Sequence, residues 1–154
     1  MSAVLVREAT EADLDEVLAL YQGIEDSPEH VLTLAEARAV LAQFRAYPSY
    51  RLWVACESAE PGADVLGTYS LLVMHNLAHR GAPSAIVEDV VVAADRKGQG
   101  IGRQMMAHAL QQAREAGCYK LALSSHRKRT DAHAFYESLG FAQHGLSFVV
   151  ETLT

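Results

Sequence analysis

The stretch VEDVVVAADRKGQGIGRQMM, residues 87–106, joins a strand pattern to a helix pattern through a turn that holds three glycines. β-Branched residues dominate residues 86–92 and favour a strand, and residues 100–116 predict a long helix that Gly117 ends. Amides at a helix start lack internal partners and carry the positive end of the dipole. Glycines allow an anion to approach those amides, so the stretch predicts a phosphate-binding cradle.

Two better-known glycine motifs do not fit this turn. A Walker A loop requires Gly-Lys-Ser/Thr after its spaced glycines, and a dinucleotide fingerprint requires G-x-G-x-x-G with an acid at the end of the next strand. Here Gly98, Gly100 and Gly102 run G-x-G-x-G, and the next predicted strand ends in Ser124 and Ser125. By itself the pattern is equally compatible with a flexible turn that binds nothing.

Strand and helix patterns surround this unit in the order β-α-α-β-β-β-α-β-α-β. Thr33 and Glu36 form a capping box at the start of the second helix. The order predicts an α/β (α+β) sandwich in one domain, residues 1–154, with a mixed, mostly antiparallel sheet of six to seven strands and about four helices. The predicted strands cover residues 4–9, 50–57, 65–74, 86–92 and 118–125, with one or two more in 141–152, and the helices begin near Thr10, Thr33, residue 100 and Thr130.

Composition narrows the function classes. The chain has 154 residues, of which 50% are apolar and 21% charged, as in ordinary globular domains. No apolar run is long enough to span a bilayer, and the acidic N-terminal sequence lacks a signal pattern, so a cytoplasmic protein without membrane partners is expected. A net charge of −6 argues against nucleic acid as a partner. Cys56 and Cys118 are expected to be reduced thiols.

Positive charge is concentrated in two short stretches, which contain six of the thirteen basic residues. Such clusters on an acidic protein suggest a site for a polyanion, and two solvated basic loops explain them equally well. The residues are Arg96, Lys97 and Arg103 in the first stretch and Arg127, Lys128 and Arg129 in the second.

The glycine turn resembles the acetyl-CoA motif of the GNAT N-acetyltransferase family, Q/R-x-x-G-x-G/A, which residues 97–102 match with Lys97 in place of Gln or Arg. About forty residues later, AHAFYESLGF at 132–141 resembles the second GNAT signature, A-x-x-F-Y-x-x-x-G-F. The resemblance extends over the whole chain and is weakest in the second helix. It implies a GNAT-like fold, acetyl-CoA as donor, and direct attack by a primary amine of a small molecule.

The resemblance also implies roles for single residues. Backbone groups of three valines are expected to bind the pantetheine arm, the turn amides the pyrophosphate, and Tyr136 is expected to protonate the departing thiolate. Tyr136 shares an apolar stripe with Phe135 and Leu139, so a purely structural role is the alternative. The implied acetyl-CoA-binding residues are Val90, Val91, Val92, Lys97, Gly98, Gln99, Gly100, Ile101, Gly102 and Arg103.

A base is needed because an alkylamine is mostly protonated at pH 7. The candidates are Glu88 and Asp89, which strand alternation places on opposite faces of the sheet unless a bulge redirects the chain. We favour Glu88 as the base, directly or through a water, and Asp89 for a substrate or structural contact. A backbone amide near Val91 or Val92 is expected to stabilise the oxyanion.

The sequence determines the acceptor amine less well than any other part of the expected function. IVEDVVV at 86–92 resembles the glucosamine-6-phosphate N-acetyltransferases, whereas SSHRKRTDAHAFY at 124–136 resembles the aminoalkylphosphonate N-acetyltransferases. His75 and His79 are interpreted as substrate-loop residues, because the glycine and proline that follow argue against a metal-binding helix. No histidine spacing supports a protein-bound metal, and none is predicted.

Three further alternatives stay open at this point. The chain is also compatible with a non-catalytic CoA-binding regulatory module, and with acetylation of a protein or peptide amine. A homodimer is compatible with the sequence as well.

Overall fold

The computed structural model describes residues 4–24 and 28–153. The described chain falls into two compact parts, one up to Ala122 and one from Leu123 onward; that residues 1–154 form one domain stays a prediction. The first part holds strands β1 (Leu5–Glu8), β2 (Tyr50–Cys56), β3 (Val65–Met74) and β4 (Ser84–Val92) and helices α1 (Leu14–Tyr21), α2 (Leu34–Phe44) and α3 (Ile101–Glu115). Strand β5 (Leu121–Leu123) spans the boundary, and helix α4 (Thr130–Ser138) belongs to the second part.

One mixed sheet forms the centre of the first part. Its strands follow the order β1-β2-β3-β4-β5, and each of the first four is antiparallel to its neighbour. The chain reaches β5 alongside β4 in the same direction, since Tyr119 N donates to Pro83 O and Ala85 N donates to Lys120 O, both at 3.0 Å. The residue numbers of both segments increase from the first hydrogen bond to the second, as they do between parallel strands.

The expected six to seven strands are not confirmed, because the described residues form five. Residues 141–153 contain neither helix nor strand, although their sequence predicted one or two strands. Strand β5 has three residues where residues 118–125 were expected to be extended. A strand exists only when a neighbour accepts and donates its backbone hydrogen bonds, and local sequence preference does not supply that neighbour.

Local hydrogen bonds start the first two helices as the sequence indicated. Glu36 N donates to Thr33 Oγ1 at 3.2 Å and Thr33 N donates to Glu36 Oε2 at 2.8 Å, so the predicted capping box at α2 is confirmed. Before α1, Thr10 N donates to the carboxylate of the buried Asp13 at 2.8 Å. The Arg7 guanidinium also donates twice to that carboxylate and holds the pKa of Asp13 below its usual value.

Helices α1 and α2 cover one face of the sheet. Strand alternation directs Leu52, Val54 and Cys56 of β2 toward these helices, and the three side chains are buried there. The helix residues of this core cluster are Leu14, Val17, Ala37 and Leu41. Thr68 and Ser70 of β3, which lie opposite Val54 and Leu52, therefore belong to the same face.

Helix α3 covers the opposite face. Trp53 and Tyr69 form a cross-strand pair there, and both rings meet His108 of α3, whose Nδ1 lies 2.6 Å from Tyr69 Oη. A Cβ at Gly67 would lie 3.0 Å from both Met105 Sδ and Val91 O. Because only glycine leaves room at that position, α3 can approach the sheet closely beside β4.

Candidate active site

A β-bulge interrupts the pairing of β4 with β3 beside the acidic pair. Thr68 lies opposite Val91 and Ser70 lies opposite Glu88, so Tyr69 alone faces two residues of β4. One of these two, Asp89, has a φ of 53°, in the left-handed region that non-glycine residues rarely adopt. A bulge leaves one residue out of the ladder and redirects the strand, which is the exception to strict alternation that the sequence left open for Glu88 and Asp89.

The charge of Asp89, in the bulge, acts on the carboxyl group of Glu88 beside it. Both residues remain exposed to solvent, and Glu88 lies opposite Ser70, on the face that α1 and α2 cover. Partial burial raises the pKa of the Glu88 carboxyl, and the charge of Asp89 raises it further. A carboxylate whose pKa is raised is a stronger base than a free one, so Glu88 suits the acceptance of a proton from an amine.

Hydroxyl groups line the sheet beside the bulge. Ser70 Oγ donates to Glu88 O at 3.3 Å, and Thr68 Oγ1 donates to Trp53 O at 2.8 Å. The Tyr21 phenol at the end of α1 lies near Thr68: burial and the charge of Asp89 raise its pKa, and hydrogen bonding with the Thr68 side chain opposes that rise. Tyr21 is therefore a neutral hydrogen-bonding group beside the acidic pair.

Sequence reasoning missed these hydroxyls. Only the packing of α1 on the sheet brings the phenol of Tyr21 near Asp89. A signal for the other two was present: Thr68 and Ser70 alternate within an otherwise apolar strand. Both are completely buried or nearly so, and buried hydroxyls in such a strand need hydrogen-bond partners on that face.

The glycine turn has the backbone that the sequence predicted. Gly98 and Gly100 have φ values of 80° and 82°, and Gly100 is the N-terminal cap of α3. The first helical hydrogen bond runs from Gln104 N to Gly100 O, so the amides of residues 101–103 are not used by the hydrogen-bond pattern of the helix. An added Cβ at Gly98 would meet no atom within 4 Å, which shows open space above the turn.

The basic residues around the turn differ in whether a carboxylate pairs with them. Arg96 pairs with Glu57 at 3.3 Å, so part of its charge is already neutralised. Lys97 and Arg103 are exposed, and the structure gives neither a carboxylate partner among its described residues. These two cations are therefore the ones available to an anion at the start of α3.

The three valines begin within the bulge and continue the strand after it. Val91 is buried opposite Thr68, Val92 lies opposite Gly67, and Val90 belongs to the bulge itself. Ala93 N donates to Leu66 O at 2.8 Å, where the strand ends and the turn begins. The same few residues thus connect the acidic pair with the glycine turn.

The two histidines of the expected substrate loop lie away from the acidic pair. His75 and His79 follow the end of β3, where Met74 pairs with Ser84, four residues before Glu88 along β4. That separation is roughly 13 Å of strand. His79 has a φ of 54°, and its ring stacks on Tyr119 at 4.1 Å between centroids, so this loop is built around an aromatic stack.

Tyr136 lies in α4, in the second part of the chain. Its ring is half-buried and packs edge-on against Phe135 and Phe141, with centroids 5.3 and 5.8 Å apart. Burial raises the pKa of its phenol, and the positive charge of Arg129 opposes that rise. The side chain therefore stays protonated at neutral pH, as a proton donor must be.

The basic loop before α4 is exposed and organised around its histidines. His133 Nε2 lies 2.9 Å from His126 O, and Lys128 N donates to His126 Nδ1 at 3.2 Å. Among residues 4–24 and 28–153, no three His, Cys, Asp or Glu side chains lie close enough together to hold a metal ion. No helix in those same ranges has the length and apolarity that a membrane crossing requires.

Comparisons with known proteins agree on one family. The model of the Acetyltransferase (GNAT) family matches residues 14–141. The chain is 31% identical over 134 residues to a probable glucosamine 6-phosphate N-acetyltransferase of rice, covering 86% of this chain and 78% of the relative. It is 33% identical over 143 residues to the aminoalkylphosphonate N-acetyltransferase of Salmonella typhimurium, covering 93% and 88%.

A solved structure shows the same architecture. A putative acetyltransferase from Agrobacterium tumefaciens superimposes with a TM-score of 0.85 at 37% identity, covering 96% of this chain and 99% of the other. The two local resemblances seen in the sequence, to the glucosamine-6-phosphate and the aminoalkylphosphonate enzymes, are both confirmed.

Proposed function

Because the chain belongs to the GNAT acetyltransferase family and is an acetyl-CoA-dependent N-acetyltransferase, we propose that it acetylates a small primary amine by direct attack, with Glu88 and Tyr136 moving the protons. The observation that carries this proposal is the bulge of β4, where Glu88 and Asp89 interact. The strand that contains them leads through one short 3-10 helix, Ala94–Arg96, into the glycine turn. A proton acceptor and a phosphate cradle thus share one short segment.

The donor is held mainly by backbone. Backbone groups of Val90, Val91 and Val92 bind the pantetheine arm, and the amides of residues 98–103 bind the pyrophosphate, with Lys97 and Arg103 adding positive charge. The two glycines of positive φ and the open space above Gly98 support this assignment. The cradle recognises a diphosphate through peptide groups, so Lys97 in place of Gln or Arg costs little.

Two proton transfers accompany the exchange of bonds. Glu88, directly or through a water, takes a proton from the ammonium, and the free amine attacks the thioester carbonyl carbon. A backbone amide near Val91 or Val92 donates to the developing oxyanion, as a bulge leaves backbone groups outside the ladder. The C–N bond forms and the C–S bond breaks as Tyr136 donates its proton to the departing thiolate. The nitrogen of the new amide loses its second proton to solvent, and Tyr136 recovers a proton from solvent.

The acceptor occupies the face that carries Glu88. A cavity of about 270 Å³ opens beside that face, between α2 and the ends of β1 and β2. Phe44 stacks there on Tyr50 at 4.2 Å, and Arg45, Arg51 and Glu8 are among the lining residues. Tyr50 lies two residues from Leu52, which pairs through Ser70 with Glu88. From strand spacings, the Cα atoms of Tyr50 and Glu88 are roughly 12 Å apart, a span that a small amine and two side chains can bridge.

Charge at this cavity indicates the type of acceptor. Arg51 pairs loosely with Glu8 at 3.7 Å, and within the described ranges Arg45 has no carboxylate partner. Guanidinium groups bind phosphate and phosphonate oxygens well. The named acceptors of the two similar enzymes, glucosamine 6-phosphate and aminoalkylphosphonates, both join an amine to such an anion. We therefore propose an amine that carries a phosphate or phosphonate, with Asp89, His75 and His79 as weaker candidates for acceptor contacts.

A thiol-release assay with paired amines tests the function and the acceptor class together. We expect kcat/KM for glucosamine 6-phosphate or an aminoalkylphosphonate to exceed that of the matching phosphate-free amine at least tenfold. Equal rates within each pair would remove the anion from the proposal, and a preference for a lysine peptide would favour a protein acceptor. Binding of CoA without turnover of any amine would support a non-catalytic module instead.

The substitution Gly100→Val is expected to weaken CoA binding at least tenfold, because the valine Cβ would lie between the turn amides and the pyrophosphate. Gly62 has nearly the same φ, 80° against 82°, and lies in a hairpin with open space around it. Gly62→Val therefore imposes the same backbone strain and should leave CoA affinity unchanged. Isothermal calorimetry on both variants checks this; equal CoA affinities would show that the turn is not the cradle.

A further inference from the structure

One buried hydrogen bond joins the sheet to α3 at the bulge. Tyr69 Oη lies 2.6 Å from His108 Nδ1, and Tyr69 is completely buried. Along β3, Tyr69 is the residue that faces Asp89 and Val90, the two residues of the bulge. The side chain opposite the bulge is therefore held by the helix that begins at the glycine turn.

The surroundings decide which atom of this pair donates. Burial raises the pKa of the Tyr69 phenol, so the hydroxyl keeps its proton. Burial lowers the pKa of His108, and the charge of Glu115 opposes this only in part, so the imidazole is neutral at pH 7. Within residues 4–24 and 28–153, Tyr69 Oη has no other hydrogen-bond partner. A buried hydroxyl needs an acceptor, so Tyr69 donates to Nδ1 and the imidazole proton lies on Nε2.

The hydrogen bond lies in an otherwise apolar layer. Met105, one turn before His108 along α3, is completely buried where Gly67 of β3 leaves room for it. The Trp53 ring packs edge-on against the imidazole, with centroids 4.6 Å apart. Apolar side chains would fill this layer without the cost of burying a hydroxyl and an imidazole. The polar pair adds specificity instead, because a satisfied buried hydrogen bond favours one arrangement of the two elements.

Acetyl transfer requires the two elements joined by this hydrogen bond to keep a fixed separation. The proposed base, Glu88, lies beside the bulge, and the proposed pyrophosphate cradle lies at the start of α3. The reacting nitrogen and carbonyl carbon must come within roughly 3–3.5 Å, and a displacement of about 1 Å costs on the order of 100-fold in rate. A bulge disrupts the strand ladder locally, so a hydrogen bond from the residue opposite it to α3 limits such a displacement.

We propose that Tyr69 and His108 are positioning residues for acetyl transfer, whose hydrogen bond holds the β4 bulge at a fixed distance from the glycine turn. The inference rests on the proposed function, since it assumes that the base and the cradle lie in these two places. Both residues act through the backbones of β3 and α3, and neither donates or accepts a proton in the reaction.

Three single variants and one double variant test the hydrogen bond. Tyr69→Phe removes the donor, His108→Leu removes the acceptor, and His108→Asn places an amide oxygen near the position of Nδ1. We expect Tyr69→Phe and His108→Leu each to lower kcat about tenfold, with CoA affinity unchanged because the cradle consists of local backbone. The double variant Tyr69→Phe, His108→Leu should lose no more than either single variant, and His108→Asn should recover most of the rate.

Met106→Ala is the matched control for loosened packing. Met106 is buried on the same helix, and its truncation should lower the melting temperature while kcat stays unchanged. An equal loss of kcat in Met106→Ala and Tyr69→Phe would overturn the proposal. Additive losses in the double variant, or normal kcat in Tyr69→Phe, would overturn it as well.

Hydrogen exchange without substrate measures the positioning itself. Amides of residues 87–92 should exchange faster in Tyr69→Phe and His108→Leu than in the unmodified chain, and at the unmodified rate in His108→Asn. Unchanged exchange in both of the first two variants would overturn the positioning role, even in an enzyme that acetylates its amine. If the unmodified chain acetylates no amine, the proposed function fails, and the exchange rates still decide whether the hydrogen bond holds the bulge.

Discussion

The substitution Tyr136→Phe is expected to lower kcat about 100-fold. The substitution removes only the hydroxyl that we propose as the proton donor to the thiolate, and general-acid catalysis contributes about 10²–10⁴-fold. The low end applies because a thiolate is already a fair leaving group. Packing of the ring against Phe135 and Phe141 should persist, and CoA affinity should hardly change because the phosphates supply most of it.

Turnover and melting temperature, measured on one preparation, separate catalysis from packing at Tyr136. A buried tyrosine without a catalytic role predicts near-normal turnover with a lower melting temperature, and that pair of results would exclude the general acid. Tyr119→Phe is the control for phenol loss in general. Its ring stacks on His79, so the variant keeps the ring contact and should retain full activity.

The substitution Glu88→Gln is expected to lower kcat/KM for the amine about 100-fold at pH 7, since glutamine keeps the shape of glutamate and cannot accept a proton. The pKa of Glu88 is raised by burial and by Asp89, so in the unmodified enzyme activity should rise with pH through that raised pKa as the carboxylate forms. The variant should lack this limb and regain activity only at high pH, where free amine accumulates.

Two matched variants sharpen the assignment of Glu88. Asp89→Asn preserves the left-handed backbone, which asparagine tolerates, and should have the smaller effect if Asp89 only contacts substrate. Glu60→Gln, in an exposed loop, should behave as the unmodified enzyme. A pH–rate profile of Glu88→Gln that overlays the unmodified one would remove Glu88 as base, and a larger loss at Asp89 would transfer the role.

Local chemistry accounts for what the sequence determined by itself. The capping box of Thr33 and Glu36 involves groups three residues apart, so it needs no distant partner. Gly98 and Gly100 adopt positive φ because the turn between β4 and α3 requires it, and glycine is the residue that permits it cheaply. Together with the second signature around Tyr136, these local features were enough to recognise the family.

Contacts between distant segments decided the rest. Alternation along β4 places Glu88 and Asp89 on opposite faces, and only the register against β3, with Tyr69 facing two residues, creates the bulge that couples them. Tyr21 joins the site because α1 packs on that face of the sheet. The C-terminal segment has strand-forming residues and no strand, because pairing requires a neighbour that sequence preference cannot provide.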